Sequence, residues 1–89
     1  MIQVTVTLIN VLGLHARASA KFVATAARFQ SSIEIRRGSQ CVNGKSIMGV
    51  MMLAAPCGSE LLLEIEGPDE EAMEKAIVAL INNRFGEAE

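Results

Sequence analysis

The chain has 89 residues, 51% hydrophobic and 20% charged, with ten acids against eight bases and a net charge of −2 when its one histidine is neutral. That length makes one domain, residues 1–89, the apolar content excludes disorder, and the acidic balance excludes nonspecific duplex binding. Three Phe, no Trp and no Tyr leave no stacking platform for single-stranded nucleic acid and an aliphatic core.

Ile2, Val4, Val6 and Leu8 alternate with Gln3, Thr5 and Thr7, the period of a half-buried strand. Asn10-Val11-Leu12-Gly13 breaks the alternation as a loop. From Ala16 to Phe29 the spacing of Phe22, Ala26 and Phe29 predicts a helix with one apolar face. Ser32-Ile33-Glu34-Ile35-Arg36 alternates again, Gly38-Ser39 turns, and Gln40-Cys41-Val42 returns as a hairpin. After the Asn43-Gly44 turn, Ser46 is placed to cap a short helix over Ile47–Leu53 that Pro56 stops. Leu61, Leu63 and Ile65 mark a fourth strand, and Gly67-Pro68 a turn. Asp69 is placed to cap a last helix with Glu70 and Glu71 in its first turn and Met73, Ala76, Ile77, Leu80 and Ile81 as its apolar stripe. Gly86 and the acidic Glu87-Ala88-Glu89 close it. The order β-α-β-β-α-β-α is that of an α+β domain with helices on one side of an antiparallel or mixed sheet, and periodicity leaves the strand order open.

Cys41 and Cys57 are too few and too far apart for a disulfide framework, and with His15 they supply only three soft ligands, so no metal site is expected. Both are expected to be small buried or semi-buried residues. No basic leader is visible at the N-terminus, and the apolar run Ile47–Ala55 is about half of the roughly 20 residues that span a bilayer. A cytoplasmic protein with reduced thiols and no membrane insertion is the expectation.

Charge divides along the chain. Residues 1–45 carry six bases and one acid, and residues 46–89 carry two bases and nine acids. The basic half contains His15, which sits where the first helix should begin. A helix N-terminus presents unpaired N–H groups and a partial positive charge, a setting for phosphate. Imidazole is nucleophilic near neutral pH and accepts phosphate on nitrogen. The amides of Ala16, Arg17 and Ala18 would meet that phosphate, and the Arg17 guanidinium would bind its oxygens. Taken alone, this position favours a histidine that caps the helix or fills a loop. Ser46 is open to two readings, simple N-cap or phosphorylation site, with Lys45 beside it. Of Met48, Met51 and Met52, two are expected in the core and at least one exposed as an adaptable contact surface.

Gly13-Leu14-His15-Ala16-Arg17-Ala18-Ser19-Ala20 resembles the active-site motif of the HPr family, phosphocarriers of the bacterial phosphoenolpyruvate-dependent phosphotransferase system. Asn43-Gly44-Lys45-Ser46-Ile47-Met48-Gly49-Val50-Met51 resembles that family's regulatory serine motif. Length, spacing and element order agree over essentially the whole chain. The resemblance implies an HPr-like open-faced sandwich, a four-stranded antiparallel sheet with three helices on one face. It implies that Nδ1 of His15 takes a phosphoryl group from phosphorylated enzyme I and passes it to an enzyme IIA domain, with Arg17 neutralising its oxygens. Ser46 is then the site for HPr kinase/phosphorylase. The implied carrier has no cofactor of its own, since phosphoenolpyruvate and Mg²⁺ act at enzyme I, and it is expected to be a monomer. Its partners would dock around Ala20, Lys21, Lys45, Met48 and Met51. One departure stands in the motif: Ala18 replaces the family's usual proline. A nitrogen-branch regulatory carrier is the nearest alternative, faintly suggested by Gly67-Pro68-Asp69-Glu70-Glu71, and a small α+β ligand-binding module is a rival from another class.

Overall fold

Strand alternation sends every second side chain to one side of a sheet, and here that side is the floor of the core. In a computed structural model describing residues 1–89, β1 (Ile2–Thr7), β2 (Ser32–Arg37), β3 (Gln40–Asn43) and β4 (Glu60–Glu66) form one antiparallel sheet in the order β1-β4-β2-β3. Val4 faces Leu63, Leu63 faces Ile35, and Ile35 faces Val42, so one apolar row crosses all four strands. Ile2, Ile65 and Ile33 form the next row. Helices α1 (Ala16–Ala26), α2 (Ile47–Met52) and α3 (Glu70–Asn82) cover this face with Ala18, Phe22, Ala26, Val50, Met73, Ile77 and Ile81, all wholly buried. Transfer of such side chains from water stabilises the fold by about 25 cal/mol per Å² of apolar surface. On the uncovered face, Glu64 accepts hydrogen bonds from Gln3 (2.9 Å) and Arg36 (3.0 Å). The expected open-faced sandwich is the observed architecture.

The strand order is the part that periodicity left open. β1 and β2 run parallel to one another with β4 between them, and β3 and β4 likewise flank β2. Helices α1 and α2 make the two crossovers that this interleaving demands.

Three expectations change in detail. Helix α1 ends at Ala26, three residues short of Phe29. Tight-turn bonds from Arg28 to Thr25 (3.2 Å) and Phe29 to Ala26 (3.2 Å) take over, and the Lys45 ammonium donates to the Phe29 carbonyl at 2.7 Å. The chain is thereby steered into β2. Cys41 and Cys57 are both exposed. Cys41 is opposite Arg36 on β3, out of phase with the inward Val42, and Cys57 lies in the loop before β4.

Asp69 occupies the N-cap position of α3 but does not bond its own helix. Its carboxylate accepts from the Ser31 hydroxyl (2.5 Å), the Ser31 N–H (2.9 Å) and the Gln30 N–H (3.0 Å), and its own N–H donates to the Ser31 hydroxyl at 3.1 Å. This network fastens the start of α3 to the loop entering β2. Gly67 permits the approach: its φ is 151°, and a Cβ there would lie 2.5 Å from Ser31 Cα.

The Ser31 hydroxyl, foremost, and the Gln30 N–H hold the Asp69 carboxyl down at about 2, below its ordinary 3.8. A depressed acid stabilises the fold above its unfolded-state pKa and loses that contribution as pH falls through the folded one. Asp69→Asn is therefore expected to be less stable than the parent at pH 7. The difference should shrink between about pH 4 and pH 2, measured by urea unfolding across that range.

Candidate functional site

Two loops meet where the first helix begins. Gly13 has a φ of 64°, and a Cβ on it would stand 2.3 Å from the Ala55 carbonyl oxygen. Only glycine fits there, and the approach lets the Leu14 N–H donate to that same carbonyl at 2.9 Å. The Leu14 side chain is buried. From the other side, Ser19 donates its N–H to the His15 carbonyl (2.9 Å) and its hydroxyl to the Leu14 carbonyl (3.2 Å). The backbone of His15 is thus held before and after the residue.

His15 is the N-cap of α1, in extended conformation, and its side chain does not cap the helix. The ring instead reaches the C-terminal tail, where Nε2 donates to a carboxylate oxygen of Glu87. An ionised carboxylate only accepts, so Nε2 carries a proton, and when the ring is neutral its lone pair is on Nδ1. Nδ1 makes no hydrogen bond and opens to solvent. The N–H groups of Ala16, Arg17 and Ala18 have no acceptor in the helix, whose first bond is Ser19 to His15. Arg17 is exposed and makes no salt bridge. Ala18 is fully buried, and its N–H is not used by the fold, so the position has no need of the donor that a proline would lack. One nucleophilic nitrogen, three free donors and one free guanidinium therefore surround the start of α1. That set can receive a small dianion bonded to Nδ1.

Glu87 is the site residue that sequence reasoning missed. Its second oxygen accepts from Asn10 Nδ2 at 3.0 Å, and the same amide donates to the Gly13 carbonyl at 2.8 Å. The hydrogen bond from His15, with help from Asn10, holds the Glu87 carboxyl below its ordinary range against the opposing effect of burial. The tail reaches this point through a left-handed turn at Arg84 (φ 55°), Phe85 (φ 54°) and Gly86 (φ 78°). Phe85 is wholly buried as its anchor, and Lys21 donates to the Phe85 carbonyl at 2.6 Å. The Val11 N–H donates to the Glu89 carbonyl at 3.2 Å. Val11, Leu12, His15, Ala16, Arg17 and the tail residues Glu87–Glu89 line the resulting shallow cavity. The surplus of small and acidic residues after Gly86 was the only sequence signal, and it did not point to His15.

Ser46 caps α2 by accepting from the Gly49 N–H at 3.1 Å. The three methionines depart from expectation: Met48, Met51 and Met52 are 71%, 44% and 69% exposed, so none is core. A six-residue helix turns only a narrow face inward, and Val50, followed by Leu53, fills it. Ala20 is exposed. Lys21 and Lys45, each bonded to a backbone carbonyl of the fold, present their charges from fixed positions.

The family model described as the PTS HPr component phosphorylation site matches residues 2–83. Among curated proteins, the chain is 55% identical to the phosphocarrier protein HPr of Cupriavidus necator and 49% identical to that of Neisseria meningitidis, each over 89 residues and all of both chains. Among solved structures, it is similar to the crystal structure of HPr-C-His from Thermoanaerobacter tengcongensis, with a TM-score of 0.96, 46% identity and full coverage of both chains. The HPr of Bacillus anthracis matches with a TM-score of 0.86 and 40% identity over 90% of this chain and 95% of that one.

Gly13→Ala would force both a left-handed alanine and a collision with the Ala55 carbonyl. It is expected to destabilise the protein by about 2–3 kcal/mol, read from the urea midpoint.

Proposed function

The chain belongs to the HPr family of phosphocarrier proteins, and from that premise we propose that Nδ1 of His15 accepts a phosphoryl group from phosphorylated enzyme I and delivers it to an enzyme IIA domain. The observation that carries this reading is the free Nδ1 of His15 beside the unpaired N–H groups of Ala16, Arg17 and Ala18. The Nδ1 lone pair attacks phosphorus, and the bond from phosphorus to the donor breaks with its electron pair left on the donor. Arg17 and the helix amides face the phosphoryl oxygens and balance their charge. The protein acts as a carrier and not as an autonomous catalyst. Phosphoenolpyruvate and Mg²⁺ are used at enzyme I, and no cofactor is needed here.

The exposed Ile47, Met48, Met51 and Met52 next to α1 suit a docking surface that adapts to more than one partner. Ala20, Lys21 and Lys45 extend it, with Arg17 at the site itself. Ser46 is the regulatory site on this reading. A phosphate there adds nearly two negative charges to a face whose basic residues attract acidic partners, and so slows encounter. HPr kinase/phosphorylase is the enzyme it would serve.

The test is incubation with phosphoenolpyruvate, Mg²⁺ and purified enzyme I, followed by intact mass. The parent should gain one acid-labile phosphate, and His15→Ala none. A carrier phosphorylated only by a nitrogen-branch enzyme I would belong to that branch. Ser46→Asp should lower kcat/KM with enzyme I about tenfold, mainly through KM, with the deficit easing at high salt as screening removes the repulsion.

A further inference from the structure

Resting on the carrier reading, we propose that Glu87 is a positioning residue for phosphoryl transfer, its carboxylate balancing the charge that the His15 ring acquires when Nδ1 bonds to phosphorus. The contact differs from a loose surface ion pair in being built into the fold. The Glu87 side chain is 13% exposed and that of His15 28%. Asn10, fully buried, grips the other carboxylate oxygen and, through Gly13, the backbone leading to His15. Phe85, wholly buried, and the Lys21 bond to its carbonyl fix the tail on α1 and α3. Nucleophile and carboxylate are therefore referred to one frame.

The chemistry follows from which nitrogen holds the proton. Nδ1 gives its lone pair to phosphorus while Nε2 keeps its proton, so the ring becomes a cation. Glu87 already faces Nε2 and needs no rearrangement to meet that charge. A carboxylate plays this part toward an imidazolium elsewhere in nucleophilic catalysis. The phosphoryl oxygens have separate partners in Arg17 and the helix amides, so the two charges formed in the step are met from two sides. On delivery the Nδ1–phosphorus bond breaks, its electron pair returns to Nδ1, and neutral imidazole leaves with Nε2 still protonated. Arg17 and Glu89 are the other charged groups lining the cavity, and Lys21 is the cation that acts on Glu87 from α1.

Glu87→Gln keeps the size and removes the charge, with Glu71→Gln, exposed on α3, matching the change in net charge. The full chain is phosphorylated by enzyme I and phosphoenolpyruvate, and initial rates are taken against carrier concentration. Glu87→Gln should lower kcat five- to tenfold with KM within twofold, while Glu71→Gln changes neither. By ¹⁵N NMR, the parent's Nε2-bound proton should stay visible after phosphorylation near neutral pH. An unchanged kcat, a loss confined to KM, or disappearance of the Nε2 proton from the phosphorylated parent would overturn the assignment. A parent that gains no acid-labile phosphate would bring down the carrier reading and this inference with it; a parent that gains it beside a fully active Glu87→Gln brings down this inference alone.

Discussion

The approach of Gly13 and Leu14 to the Ala55 carbonyl is the constraint on which the site depends. Without a Cβ at residue 13, two loops come within hydrogen-bond reach, and the one leading into α1 is fixed relative to the one leaving α2. His15 then begins a helix whose first three N–H groups are left over by its geometry. Imidazole is nucleophilic wherever it stands, so its chemistry alone does not single out this ring. The fold makes it useful by delivering it, in extended conformation, to the mouth of those donors.

Charge is arranged around this point in the same economical way. The basic half of the chain supplies Arg17 and Lys21, and the acidic half returns at the end to supply Glu87. Opposite signs that are 70 residues apart in sequence meet across one ring. The separation of charge along the chain thus becomes, in three dimensions, Arg17 at the helix side of the ring and Glu87, held with the help of Lys21, at its tail side. A second network of the same kind, Ser31 with Asp69, holds the far end of the helical layer.

What was legible in the sequence was what is local. Alternation in Ile2–Leu8 and Leu61–Glu66 marked strands because one face of each is buried. Ser46 marked a helix start because a hydroxyl there has an N–H within three residues to receive. His15 marked a site because a helix begins just after it and Arg17 follows. What was not legible depends on distant segments. Asp69 has the residue type of a cap, but Ser31, brought close by Gly67, competes successfully for its carboxylate. Phe29 has helical spacing, yet the chain leaves the helix before it. Cys41, Met48, Met51 and Met52 are apolar enough for a core, but the inward positions were already taken by Val42, Val50 and Leu53. Glu87 gave no local sign, since its partner lies 72 positions earlier.

The strand order has a consequence for how the chain comes to be folded. The central strands are β4 and β2, and β4 is the last to be made. Until residues 60–66 arrive, β1 has no neighbour to pair with, and only the β2–β3 hairpin can form by local contact. Closing the sheet means bringing together ends separated by most of the chain, with the loop entropy settled before the apolar rows give any return. Such a topology makes closure of the sheet slow beside formation of its local contacts. The Ala55 carbonyl that fixes the His15 loop stands just ahead of β4, so the backbone of the site is tied to the segment that completes the sheet.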